Sequence, residues 1–247
     1  MLVYLVVFVF GAVVGSFLNV CIFRIPRGES LILPPSRCPN CNKRIAIYDN
    51  IPILSYILLK GKCSSCNSKI PIRYPIVEVL NGLFYTLLFF SFGWGFQFLV
   101  YSAFLSVLII ITFIDIDHQI IPDRITLPGI FLGILLASTL LPLGIKNSLL
   151  GVFLGGGLFY LTAVLSRGGM GGGDIKLIAM IGAFIGWKGV IITIFLAALS
   201  GSLVGIFLMV FMGKGRKHKI SFGPFLASGA TFSLFWGKDL IEWYLNI

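Results

Sequence analysis

The chain has 247 residues, 57% of them hydrophobic and only 11% charged. Soluble domains carry about 25% charged residues, so this composition excludes an ordinary soluble domain and marks a polytopic membrane protein. The net charge of +10 is then a matter of where the positive side chains sit relative to the bilayer, not a sign of nucleic-acid binding.

Residues 1–23 are the first charge-free stretch. It lacks a basic n-region and a small-residue cleavage site, which predicts a retained anchor rather than a cleaved signal peptide. Residues 79–114 give room for two helices with a turn at Gly93-Trp94-Gly95. Residues 125–145 and 147–166 give one helix each, a short span runs from Asp174 to near Trp187, and 189–213 and 220–237 complete the set. The expected fold is an all-α polytopic membrane protein of about eight transmembrane helices, several glycine-rich, as membrane helix packing favours.

Orientation follows from Lys and Arg. With the N-terminus outside, sixteen of these residues fall in internal loops, including Arg24, Arg37, Arg73, Arg124, Arg167, Lys214, Arg216, Lys217 and Lys219. Only Lys146, Lys188 and Lys238 fall outside, a strong positive-inside bias.

On the first helix, Ser16 and Asn19 share one face three residues apart. They suit interhelical hydrogen bonding or the polar lining of a substrate groove. Cys21 reads as packing.

Residues 24–74 are the one sizeable hydrophilic segment, a small cytosolic loop domain between the first two helices. It holds Cys38-Pro39-Asn40-Cys41 and Cys63-Ser64-Ser65-Cys66, with 21 residues between the pairs. Two such knuckles predict a tetrahedral zinc site of four thiolates, structural because no coordination position stays open. Disulfides are the competing reading, disfavoured by the reducing compartment in which the topology places the loop. Glu78, just inside the second helix, either keeps its carboxylate in interfacial water or pairs with an arginine.

The third helix closes on Asp115-Ile116-Asp117-His118-Gln119-Ile120-Ile121-Pro122-Asp123. Pro122 disfavours helix at Ile121, so the next helix is expected near Arg124. Asp117 and Asp123 read as solvated or capping, whereas Asp115 abuts the apolar run. Further on, Gly168-Gly169-Met170-Gly171-Gly172-Gly173-Asp174-Ile175-Lys176 predicts a bent loop in which glycine supplies positive φ or close approach. A carboxylate at the edge of a span is costly and needs a reason. The span from Asp174 to Trp187 covers about 21 Å against a core of about 30 Å, so either the bilayer thins or Asp174 sits below the membrane surface in a wet cavity. Asp115 and Asp174 fall on the same face. Two carboxylates in one cavity cannot both ionise, so one activates water as a base and the other donates to the carbonyl. His118 and His218 are far apart in sequence, and H-E-x-x-H, G-x-S-x-G and phosphate-loop motifs are absent.

With these residues the chain resembles the type IV prepilin peptidases, membrane aspartyl proteases with a Gly-x-Gly-Asp motif, here Gly171-Gly172-Gly173-Asp174. The likeness extends to Gly15–Val20, both cysteine pairs, Gly61-Lys62, Arg73-Tyr74-Pro75 with Glu78, and Asp115 seven residues before Pro122. Tyr56 stands where many members carry Trp. The resemblance implies that Asp115 and Asp174 are catalytic and Asp117 and Asp123 are not. It implies cleavage of the basic leader of type IV prepilins and pseudopilins on the cytosolic face of the bacterial inner membrane. It also implies N-methylation from S-adenosylmethionine, with Gly61 and Lys62 as candidates for binding that donor. The expected division is 1–23 as first helix, 24–74 as zinc loop and 75–247 as peptidase domain. The alternatives are a peptidase without methylation, an ion-coupled transporter and a non-enzymatic assembly factor.

Overall fold

The computed structural model describes residues 1–166, 169–213 and 220–245, apart from the side chains of Ile47 and Leu245. Arg167, Gly168 and the basic stretch Lys214, Arg216, Lys217, His218 and Lys219 lie outside the described residues. Among those described, the regular elements are helical: α1 (Leu2–Arg24), α2 (Leu54–Leu58), α3 (Arg73–Phe92), α4 (Phe96–His118), α5 (Asp123–Thr139), α6 (Ile145–Leu165), α7 (Gly172–Met212) and α8 (Gly223–Leu245).

Five of them (α1, α3, α4, α6 and α7) are long and apolar enough to cross a membrane. The 41 residues of α7 would span about 60 Å if straight, twice a bilayer core. Gly186 breaks the helix, with φ 73° and ψ 178°, a region that is essentially glycine-only. The break falls where the sequence ends a short span near Trp187. Counting the two arms of α7 separately, the described residues hold eight helical segments longer than α2, of which α5 and α8 fall outside the set long and apolar enough to cross.

Boundaries shift where charge is a poor guide to helix. α3 begins at Arg73 rather than residue 79, because its first turns carry Arg73 and Glu78 without breaking. α8 continues to Leu245 rather than stopping at 237, with Lys238 and Glu242 paired four residues apart at 3.7 Å.

The chain divides into two compact units, Met1–Ile110 and Ile111–Ile247. In the first, α1 and α3 pack antiparallel through a small-residue seam. A Cβ on Gly11 would lie 2.9 Å from Gly82 Cα, and one on Gly15 would lie 2.8 Å from Glu78 Cα. Polar groups complete the seam: Asn81 Nδ2 donates to the Gly11 carbonyl at 2.7 Å, and Asn19 Nδ2 to the Tyr74 carbonyl at 3.1 Å. Asn19 therefore makes the interhelical bond expected of it, and Cys21 is buried packing.

In the second unit α5, α6 and α8 all pack against α7. Backbones meet at Gly151 of α6 and Gly182 of α7, and Ser148 Oγ donates to the Ala183 carbonyl at 2.8 Å.

Candidate active site and metal loop

Ile111 and Ile114 on the last turns of α4 are fully buried and carry the next residue inward, so Asp115 is only 5% exposed. A buried carboxylate must be hydrogen-bonded. Asp115 Oδ2 accepts the backbone N–H of Gly223 at 2.9 Å. Gly223 is the first residue of α8, where N–H groups lack intrahelical partners and the helix end favours negative charge. Ser221 Oγ fixes the same corner by donating to the Asp115 carbonyl at 2.8 Å.

Asp174 is the third residue of α7 and half-buried. Its own N–H donates to the carbonyl of Gly171, the cap residue, at 3.1 Å. The Asp115 and Asp174 carboxyls lie near enough for their charges to act on each other.

The described part of the glycine run is a bent loop only as far as Gly171, with the bend at Met170. Gly172 and Gly173 already belong to the first turn of α7, and none of Gly171, Gly172 and Gly173 has positive φ. Close approach is the reason for glycine at two of them. A Cβ at Gly173 would lie 2.8 Å from Ile121 Cβ, and one at Gly171 would lie 3.0 Å from Asp174 Oδ2.

Asp117 is exposed on the last turn of α4. Asp123 opens α5 and is held by Lys176, whose Nζ lies 2.7 Å from both carboxylate oxygens. Sequence reasoning missed Gly223, Ser221 and this ion pair. The Gly223-Pro224 pair does signal a turn before a helix, but nothing in sequence links it to an acid over a hundred residues earlier.

The four cysteines converge as expected. The sulfurs of Cys38, Cys41, Cys63 and Cys66 all lie within 4.8 Å of one another, and Cys38 and Cys66 are 3.8 Å apart. A tetrahedron with Zn–S near 2.3 Å has edges of about 3.8 Å, so the donor set fits zinc. The two knuckles are near copies. In each, the first cysteine accepts at its carbonyl from an asparagine four residues on, Asn42 or Asn67, at 2.9 and 3.0 Å. Both asparagines are left-handed, at φ 56° and 55°, as this residue tolerates. Antiparallel bridges Arg37–Arg44 and Lys62–Lys69 close the turns. The Cys41 N–H holds the Cys38 thiol down at about 6, and the Ser68 hydroxyl and N–H hold Cys66 below the ordinary thiol range. Cys38 and Cys66 so disposed favour the thiolate that a metal requires, whereas desolvation and the neighbouring Cys66 and Cys38 side chains push the Cys41 thiol up to about 11.

Glu78 fits neither sequence reading. It is buried on α3, where its carboxylate accepts the N–H of Ile53 at 2.7 Å. Ile53 has φ 63° and ψ −53°, a strained conformation for a β-branched residue. Gly61 turns the chain after α2 with φ 67°, its N–H donating to the Tyr56 carbonyl at 2.8 Å, and Lys62 beside it is exposed.

A many-helix membrane protein with an aspartate pair at helix ends is the class that this arrangement defines. The family described as the bacterial peptidase A24 N-terminal domain matches residues 9–92, and the type IV leader peptidase family matches residues 102–206. A prepilin leader peptidase/N-methyltransferase of Legionella pneumophila is 35% identical, over 98% of this chain and 94% of that protein. One of Aeromonas salmonicida is 34% identical over 99% and 94%, and one of Neisseria gonorrhoeae 37% over 96% and 93%. No solved structure matches. The chain belongs to the type IV leader peptidase family.

Proposed function

We propose that this enzyme removes the basic leader from type IV prepilins and pseudopilins and then N-methylates the new N-terminus. The observation that carries the cleavage half is the Asp115–Asp174 pair, one carboxylate at the N-terminus of α8 and the other in the first turn of α7. One carboxyl, ionised, takes a proton from the attacking water. The other, protonated, donates to the carbonyl oxygen as negative charge develops there. The pair faces the cytosol, on the strength of the Lys and Arg asymmetry.

The methyl-transfer half belongs to the loop 24–74, and the peptidase half to 75–247. Cys38, Cys41, Cys63 and Cys66 hold one structural zinc that folds the loop. S-adenosylmethionine supplies an electrophilic methyl group, and Gly61 and Lys62 contribute to its binding.

The test is the mass of a prepilin after incubation with the protein and methyl donor. Leader loss and a gain of one methyl group are the expected pair of changes. An unchanged mass with wild-type protein in lipid would overturn the assignment.

A further inference from the structure

The loop between α1 and α3 is hydrophilic by composition, yet it exposes large apolar side chains. Ile32 is 85% exposed and Leu58 is 79% exposed, and Ile51, Leu54 and Ile57 are also exposed. Leu54, Ile57 and Leu58 sit at i, i+3 and i+4, so they share one face of α2. Exposed apolar clusters of this kind mark an interaction surface.

Both ends of the loop lie at one end of the antiparallel α1–α3 pair, since α1 finishes at Arg24 and α3 starts at Arg73. Two buried polar side chains tie the loop down onto that end. The Arg24 guanidinium donates to the Ser30 carbonyl at 2.8 Å and the Pro34 carbonyl at 2.6 Å, holding the segment around Ile32. Glu78 holds Ile53, between Ile51 and α2. Glu78 lies five residues into α3, about 8 Å along its axis, which is the depth at which interfacial apolar side chains sit.

The apolar rim also runs on into the flank of α1. A cleft of about 480 Å³ is walled by Val13, Phe17 and Val20 of α1 and by Leu31, Ile32 and Ile51 of the loop. Val13 and Phe17 are themselves exposed on a membrane-spanning helix. Residues 24–74 carry nine Lys and Arg against two acids, and Arg27, Lys60 and Lys62 are exposed. Basic side chains beside an apolar rim, at the end of a membrane helix pair, match an anionic lipid surface.

We propose that the cysteine loop lies on an anionic bilayer surface, with Ile32, Ile51, Leu54, Ile57 and Leu58 seated in lipid and its basic side chains among the headgroups. This placement holds the four-thiolate site at the level where a membrane-embedded segment ends. It stands independently of the peptidase reading.

The test uses the full-length protein in vesicles of phosphatidylethanolamine and phosphatidylglycerol, with the photoreactive residue benzoylphenylalanine introduced at single positions. Positions 32, 57 and 58 should gain the mass of one phospholipid on illumination. Position 131 on α5, exposed on a helix read as membrane-spanning, is the positive control, and position 67 on the second cysteine turn is the negative one. Lys60→Glu should lower the lipid yield at position 58 in these vesicles but not in phosphatidylcholine. Lipid adducts at 131 with none at 57 and 58 would overturn the proposal. So would adducts to another protein at these positions, which would make the rim a protein-docking surface. Equal yield with Lys60→Glu in both lipids would overturn the part played by charge.

Discussion

Gly223 donates its backbone N–H to Asp115 Oδ2 at 2.9 Å, and only the lack of a side chain allows that approach. A Cβ there would lie 2.6 Å from the same oxygen. The start of α8 thus sets the position of one carboxyl of the pair.

Gly223→Ala should therefore displace Asp115 without unfolding the protein. A misplacement of about 1 Å costs on the order of 10²-fold in rate. Leader-cleavage kinetics, read beside thermal stability, should show a loss of that size with a nearly unchanged melting temperature. Ser221→Ala, which removes only the bond to the Asp115 carbonyl, should cost less. Full activity in Gly223→Ala would separate Asp115 from the chemistry.

Asp115→Asn and Asp174→Asn should each abolish cleavage, and the double variant should be scarcely worse, because the two act as a unit. Asp117→Asn should keep most activity. Asp123→Asn should do likewise, since its ion pair with Lys176 is solvent-exposed and such pairs contribute about 0–1 kcal/mol. Asp174→Asn should still methylate a pilin supplied already cleaved. Mass spectrometry scores both events in one sample.

Elemental analysis should find one zinc per chain. Cys38→Ser, or a chelator, should loosen the loop and reduce methylation more than cleavage, because the aspartate pair stands on other segments. Parallel loss of both activities would mean that the loop also builds the peptidase groove.

Glu78→Ala removes the acceptor that holds the Ile53 N–H. A hydrogen bond to a charged group contributes about 1.5–3 kcal/mol, and strained backbone such as that at Ile53 costs about 1–3 kcal/mol, so the segment should relax once released. Methylation should fall while cleavage persists, and Glu78→Gln should recover part of the loss because its amide oxygen still accepts. Hydrogen exchange at residues 51–58 should rise in Glu78→Ala and stay low in Glu78→Gln. Unchanged exchange in the alanine variant would contradict the tie.

Much of this was legible in the sequence because membranes enforce simple rules. Charge-free runs marked the spans, including the short one from Asp174 to near Trp187, where the break in α7 falls. The C-x-x-C spacing predicted four sulfurs that do converge, and Asp115 and Asp174 were singled out by their position at the ends of apolar runs. What was not legible is long-range backbone chemistry. That Gly223 serves Asp115, or that Ile53 serves Glu78, leaves no trace in composition or periodicity, because the donor is a main-chain N–H that every residue but proline has. At the glycines before Asp174 the sequence left positive φ and close approach both open, and it is close approach that applies, since Gly173 is needed for the space beside Ile121.

The break at Gly186 has a consequence for Asp174. The helical arm from Gly172 to the break is 14 residues long and clamped at its far end, where a Cβ on Gly186 would run into Leu143. The direction in which Asp174 points is therefore a phase counted from Gly186. One residue inserted between them would turn the carboxylate by about 100° and move it by about 1.5 Å, away from Asp115. Four inserted residues would restore the heading to within about 40° but lift the acid by about 6 Å. Neither spacing should support cleavage, although Asp115 and Asp174 would both still be present.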